Sequence, residues 1–363
     1  MTLNKKKKIL IFRTDRIGDL INCSPFLKSL KIYYKNSEIT LICSNCNKPV
    51  AETYHFIDKV IAYDKSLSFF KKFKVFFKLI TSSFDVTIAF DGKKISYLTT
   101  MLVKSKQKYI VSFKKEKKFL GQKFYVFRPL LILCKIFFDT YIICDEDYSK
   151  VGVNSEFSNH YLSMFYYLLK KNHIDLIPQK HIFIVNSDSK KKYDDFYLSN
   201  INDNFLLMHI DLKWENYDIN IDKFNKILKN ISSNNKLVIT CGKEGSSFFS
   251  KLKNSYNNFL FKNDVCLSRN YISKINNIVL LENLSLNLLA CFIKNSLLFI
   301  NSHSGAPFHI SVAMNTPIVD FIKKEKELEY NRWIPLNIDY ERVFINDLDQ
   351  LESLILKKFK ISI

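Results

Sequence analysis

Lys8-Ile-Leu-Ile-Phe-Arg13-Thr-Asp-Arg-Ile-Gly18-Asp19-Leu-Ile-Asn-Cys-Ser24-Pro25 decides the fold. Ile9 to Phe12 is a short apolar run of the kind that forms a strand buried on both faces. Arg13 to Asp19 breaks it with four charged residues and one glycine. Periodic apolar spacing then resumes at Leu20, Ile21, Phe26, Leu27 and Leu30, as on the buried face of a helix. The helix begins either near Asp19 or at Ser24, with Ser24 as N-cap and Pro25 in the first turn. A charged loop between a buried strand and a helix N-terminus is where open α/β sheets hold ligands.

The same alternation continues. Strands are expected at Glu38–Cys43, Lys59–Tyr63, Phe84–Phe90 and Lys108–Phe113. Helices are expected over 48–55, 67–80 and 95–103, the second of them basic and rich in Phe. Glu156 to Leu169 has helical apolar spacing, and 172–180 with Pro178 reads as a linker. A second α/β run follows, with strands at His181–Val185, Phe205–Ile210, Lys236–Thr240, within 271–281, at Leu297–Ile300 and at Pro317–Phe321. Helices are expected over 221–231, 285–294, 310–314 and 347–358. Strands alternating with helices imply parallel, doubly wound sheets. The chain of 363 residues is too long for one core. It divides into an N-terminal domain over 1–175 and a C-terminal domain over 176–363, whose terminal helix could pack back on the first.

The formal net charge of +20 implies an acidic partner: phosphate, nucleic acid, anionic lipid or acidic glycan. Abundant Lys, Asn and Ile account for part of it as composition drift. Lys104 to Lys123 holds eight lysines against one glutamate. It is either a solvated loop and helix face or a peripheral contact with an acidic acceptor or anionic membrane. Among eight cysteines, Cys43 and Cys46 are the one close pair, and nothing completes a zinc set, so no metal site is expected. The cysteines read as reduced core residues of a cytoplasmic protein. The apolar run after the N-terminal lysines stops too soon for a signal peptide, and no window reaches the ~18 apolar residues of a membrane helix.

Each candidate residue carries two readings. Asp19 either caps the helix, worth about 1 kcal/mol, or is a general base. Arg13, Asp15 and Arg16 share its loop and could pair with one another. Ser304 and Gly305 open a helix after a strand, which makes an anion site of free N–H groups and positive helix end. His309, a turn further on, is a site residue or a core histidine. Lys213 could neutralise a diphosphate and Trp214 could pack on a base or sugar, or they are a surface lysine and a packing aromatic. Glu244 could accept from ribose hydroxyls or sit at a helix start.

The opening segment, with Ser24, Pro25 and Leu27, resembles glycosyltransferase family nine, the lipopolysaccharide heptosyltransferase family. Phe299-Ile-Asn-Ser-His-Ser-Gly-Ala-Pro-Phe-His-Ile, followed by Asn315-Thr316-Pro317, resembles that family's second signature. The resemblance implies a GT-B fold: two Rossmann-like domains facing a cleft. It implies an inverting, metal-independent transfer of a sugar, heptose by family default, from a nucleotide diphosphate donor to a lipopolysaccharide-core or related acidic glycan. Asp19 matches the catalytic base, with Arg13, Arg16 and Gly18 on the acceptor side. Lys213, Glu244, His303, Ser304, Gly305 and His309 fall on the donor side. No cofactor is implied beyond the nucleotide-sugar substrate, ADP-linked by family default. His303 stands where the family has Asp, one extra residue separates Gly305 from His309, and Asn315 replaces a Gly. These departures keep open a donor-binding but inactive relative. The net charge and interleaved aromatics also raise a nucleic-acid-binding reading, against which no helix-turn-helix, RNP or zinc signature appears.

Overall fold

The computed structural model describes residues 6–63, 67–113, 115–119, 122–126, 131–144, 162–217, 219–233, 235–242, 247–254, 259–262, 269–273, 277–303, 305–335 and 338–361. Glu244 and Ser304 lie outside the described residues. The chain divides into two compact units, Met1–Ile182 with Asn331–Trp333, and Phe183–Tyr330 with Ile334–Ile363.

In the first unit the order is β1 (Lys7–Arg13), α1 (Ile17–Tyr33), β2 (Ser37–Cys43), α2 (Lys48–Ala51), β3 (Lys59–Ala62), α3 (Phe69–Thr81) and β4 (Ser83–Ala89). Then come α4 (Lys94–Leu102), β5 (Lys104–Phe113), β6 (Lys115–Phe119), β7 (Gln122–Val126), α5 (Leu131–Phe137), β8 (Thr140–Cys144) and α6 (Ser163–Lys170). Six strands form one sheet in the order β3-β2-β1-β4-β5-β8, all parallel. Ile9, Leu10, Ile11 and Phe12 of β1 have no exposed surface, as a central strand covered on both faces requires. Leu10 and Phe12 face a core that includes Leu79 of α3 with Tyr97 and Met101 of α4. Alternation turns Ile9 and Ile11 to the opposite face. Phe26 of α1 packs edge-on against Phe90 at 4.9 Å and meets Phe165 and Tyr166 of α6 at 5.7 Å.

Helix α1 starts at Ile17, so Ser24 is not its N-cap and Pro25 lies inside it. A helical proline leaves the carbonyl four residues back without its donor. Here the Ser24 hydroxyl donates to the Ile21 carbonyl at 2.6 Å and repairs that gap. The same hydroxyl accepts from Ile182 N–H at 2.8 Å. That bond takes the segment expected as a strand at His181–Val185, which pairs in neither sheet.

The Lys104–Lys123 run is not loop and helix: it forms β5 and then the antiparallel hairpin β6–β7. Lys106 pairs with Asp85 at 2.8 Å. Lys108 donates to the Met101 carbonyl at 2.6 Å, and burial lowers its pKa.

The second unit runs α7 (Ser187–Asn200), β9 (Phe205–Ile210), α8 (Ile221–Ser232), β10 (Lys236–Cys241), α9 (Ser247–Asn254), β11 (Phe259–Lys262), β12 (Arg269–Ser273) and β13 (Ile278–Glu282). It continues with α10 (Leu286–Asn295), β14 (Leu298–Asn301), α11 (Gly305–Met314), β15 (Ile318–Ile322), α12 (Glu327–Asn331), β16 (Tyr340–Phe344) and α13 (Leu348–Ile361). Its sheet order is β11-β12-β13-β10-β9-β14-β15-β16. The last six of that order are parallel, and β12 and β11 extend the edge antiparallel. The terminal helix α13 lies on α8, through Lys223 to Asp349 at 2.8 Å and Asn230 to Glu352 at 2.9 Å, and sinks Leu351 and Ile355 into that unit's core.

In both sheets the order of the parallel strands reverses beside the first strand. In the first unit β1 lies between β2 and β4; in the second β9 lies between β10 and β14. Such a switch point, at the carboxyl ends of the strands, leaves a crevice where α/β sheets hold ligands.

Candidate active site

The first switch point carries Arg13 to Asp19 after β1 and Phe90 to Lys93 after β4. Arg13 is fully buried. Its Nε and Nη2 donate to the Asp19 carbonyl at 3.2 Å, and its Nη1 donates to the Phe90 carbonyl at 3.1 Å. Nη1 also pairs with Asp15 at 3.1 Å. Arg13 was expected on the acceptor side; with its guanidinium enclosed by its own chain, it fixes the loop instead. Asp91 ties the crevice together. Its Oδ2 accepts from the Thr14 hydroxyl at 2.6 Å and from the Ser96 hydroxyl at 2.7 Å. Lys93 Nζ donates to the Thr14 carbonyl. Asn47 adds donors to the Arg13 and Asp15 carbonyls at 3.2 Å.

Asp19 is the third helical residue rather than the cap itself. Its Oδ2 accepts from Arg16 N–H at 3.3 Å, which satisfies the backbone of the capping residue. Its Oδ1 is 3.7 Å from Arg13 Nη2, and a quarter of its side chain is exposed. Asp19 thus serves the helix start as the third residue of a capping box rather than as the N-cap, with its carboxylate only partly covered. Gly18 is buried and Arg16 exposed. Asp15 differs from Asp19. Burial raises its pKa from 3.8 to about 7, Arg13 opposes this, and the charges of Asp19 and Asp91 add to it. Its side chain is 19% exposed, yet Oδ1 is shielded from solvent and accepts no hydrogen bond.

The second switch point carries Asp211 to Asn216 after β9 and Ser302 to Gly305 after β14. Asp211 Oδ1 accepts from Lys213 N–H at 3.1 Å and from the Ser302 hydroxyl at 2.7 Å, joining the two loops. Lys213 Nζ donates to the His303 carbonyl at 2.6 Å and stands 5.2 Å over the Tyr330 ring. Trp214 is not available to a base or sugar. It has no exposed surface and packs among Phe224, Phe248 and Phe321 at 5.4–5.6 Å.

His303 occupies a left-handed backbone position at φ 54°. Its ring stacks on Tyr330 at 4.2 Å, and Nδ1 donates to Asp320 at 2.6 Å. Asp320, fully buried on β15, also accepts from the Tyr340 hydroxyl at 2.8 Å, with Arg342 at 3.8 Å. The strand registers Asn301↔Asp320 and Asp320↔Arg342 place this row. Gly305 begins α11 at φ 39°, and a Cβ there would meet nothing within 4 Å. Glycine is favoured by the backbone angle, not by space. His309 lies one turn along α11, buried, with its ring edge-on to Phe308 at 5.4 Å.

No local pattern marks Asp320, Tyr340 or Asp91 as members of these networks. Asp91 lies just past the end of β4, beside the first switch point, whereas Asp320 sits in the middle of β15 and reaches the second one by its pairing with Asn301 at the end of β14, so both are found only once strand order is known. His209, at the end of β9, bonds Thr240 at 2.9 Å, and burial lowers its pKa to about 4.

No family model and no curated protein matches the sequence. Solved structures do match in shape. A family 9 glycosyl transferase from Veillonella parvula superposes with a TM-score of 0.70 at 15% identity, over 98% of this chain and 91% of that one. E. coli heptosyltransferase WaaC with ADP gives 0.59 at 10% identity, over 97% and 98%. A UDP-N-acetylglucosamine 2-epimerase from Listeria monocytogenes, described as putative, gives 0.52 at 13% identity, over 97% and 88%. Identities this low speak for shape alone, and that shape supports more than one chemistry. The chain has the two-domain α/β fold of the GT-B glycosyltransferases.

Proposed function

We propose that the protein is an inverting glycosyltransferase that uses a nucleotide diphosphate sugar. The observation that carries this reading is the pair of switch points. One presents a partly exposed carboxylate, Asp19, and the other presents a lysine, Lys213, beside the N-terminus of α11. Asp19 takes the proton of an acceptor hydroxyl as its oxygen attacks the anomeric carbon. The bond from that carbon to the diphosphate oxygen breaks on the opposite face, and the electron pair leaves with the diphosphate. Lys213 and the helix N-terminus stabilise the charge that develops there. Glu244, Ser304 and His309 complete the donor side in this reading, and His303 holds the turn through Asp320. The donor in this reading is an ADP-linked heptose, supported by the motif resemblance and by the ADP-bound heptosyltransferase of similar fold, and the acceptor is an acidic, lipopolysaccharide-like glycolipid, supported by the motif resemblance.

The test is release of nucleoside diphosphate from ADP-heptose in the presence of a glycolipid-core acceptor. General-base catalysis contributes ~10²–10⁴-fold, so Asp19→Asn should lose turnover by that order and keep donor binding. Full activity in Asp19→Asn, or equal loss of binding and turnover, refutes the role.

A second reading is a donor-binding relative without transfer activity, favoured by the engagement of the Asp19 carboxylate in capping its own helix. Donor binding with no diphosphate release on any acceptor would select it.

A further inference from the structure

Helix α3 has one broad apolar face that is buried along one side and exposed along the other. Val75, Leu79 and Ile80 pack into the core behind β1, β4 and α4. Phe69, Phe70, Phe73 and Phe77 continue that face outward and are 75, 83, 59 and 54% exposed. Four exposed phenylalanines on one helix form a contiguous patch rather than the scattered apolar residues of an ordinary surface. Successive helical residues step about 100°, so Phe69, Phe73, Phe77 and Phe70 line one flank, and Lys74, Lys78 and Lys71 follow along its edge. Phe73 and Phe77 stack at 6.2 Å. The neighbouring helix α4 touches α3 and adds Ile95, Leu98 and Leu102, 40, 51 and 57% exposed, at i, i+3 and i+7. Neither helix contains an acidic residue.

We propose that the α3–α4 face docks on an anionic lipid bilayer, with α3 lying in the plane of the headgroups. Interfacial helices combine an aromatic and aliphatic face with flanking lysines in this way. The lysines match the negative potential of an anionic leaflet. A protein partner is less well matched, because the buried centres of protein interfaces are depleted in lysine. At 13 residues, α3 is too short to span a bilayer, and among the described residues no helix is long and apolar enough to cross one. This inference goes beyond the glycosyl-transfer reading and does not depend on it.

The experiment is flotation of the full chain with vesicles of phosphatidylcholine containing ~30% phosphatidylglycerol, beside pure phosphatidylcholine, at low and physiological salt. The protein should float with the anionic vesicles and far less with the neutral ones. Replacing Lys71, Lys74 and Lys78 with serine should weaken anionic binding by roughly fivefold per lysine. Replacing Phe69, Phe70, Phe73 and Phe77 with serine should abolish flotation and lower the thermal midpoint only slightly, because each of these side chains is more than half exposed. Circular dichroism and the midpoint separate lost docking from lost folding. Equal flotation with both vesicles, or wild-type flotation by both variants, overturns the proposal. So does self-association that the four-serine variant abolishes in a protein that binds no vesicle, which would make the face a contact between copies of the chain. Nucleotide binding is measured on the same samples. It should be unaffected by the variants, so failure of docking and failure of the donor reading remain distinct.

Discussion

Lys213 Nζ lies 2.6 Å from the main-chain oxygen of His303, so a side chain after β9 closes the switch point against the turn after β14. The turn so held leads directly into α11. The ammonium thus has a structural task as well as a charge. Removing it leaves a half-buried carbonyl without this donor. Lys213→Ala should cost about 1–2 kcal/mol, read as a lower denaturant midpoint. An unchanged midpoint would show that the lysine does not hold the turn.

Asp15 should make stability depend on pH in an unusual direction. Its folded pKa, about 7, is raised above 3.8 because burial and the nearby charges of Asp19 and Asp91 outweigh Arg13. The folded state then holds more protons than the unfolded one between those values. Its contribution is whole below about pH 4 and is lost as pH rises toward about 7. Since part of the side chain meets water, the loss should be about 2 kcal/mol. Stability measured from pH 4 to pH 7.5 should fall less in Asp15→Asn than in the wild type. Identical slopes would place the Asp15 proton elsewhere.

The repair of α1 gives a double-variant test. Ser24→Ala removes the donor to Ile21 and the acceptor for Ile182, and should cost about 2 kcal/mol. In Ser24→Ala/Pro25→Ala, residue 25 regains an N–H for the Ile21 carbonyl, and part of that loss should return. Urea midpoints decide it: no recovery, or a neutral Ser24→Ala, would mean that the hydroxyl does not substitute for the missing helical bond.

Trp214 separates core from site. Trp214→Ala should cost about 3–5 kcal/mol, as loss of a fully buried large aromatic does. Trp214→Phe should keep the nucleotide affinity of the wild type while lowering the melting temperature. A weakened affinity with an unchanged melting temperature would return Trp214 to the binding surface.

The fold was legible where pattern and topology agree. Ile9 to Phe12 announced a strand buried on both faces, and the alternation after it announced parallel sheets. What escaped has identifiable causes. Helix α7 carries only Tyr193, Phe196 and Ser189 inward, so its sequence shows little helical stripe, and its Asn186 cap, accepting from Ser189 N–H at 2.8 Å, was the usable signal. Ser24-Pro25 stayed open as an alternative to a start near Asp19, because a proline that its neighbour's hydroxyl repairs looks the same in sequence as one in a first turn. Arg13 read as an acceptor-side charge or a loop ion pair because nothing local reveals that the carbonyls of Phe90, after β4, and of Asp19, in α1, converge on it. Lys213 was singled out by its place after a strand and His303 by the motif resemblance, but their contact depends on strand order. Asp320 was invisible because its partners come from β14 and β16.

Calorimetric titration of the purified wild type and of Lys213→Ala with ADP, UDP, GDP and CMP shows whether the second switch point holds a nucleoside diphosphate. The donor reading predicts saturable binding of one nucleoside diphosphate, ADP by the motif resemblance, weakened by about tenfold to a hundredfold in Lys213→Ala. No saturable binding of any of the four, or equal binding by wild type and variant, would contradict it.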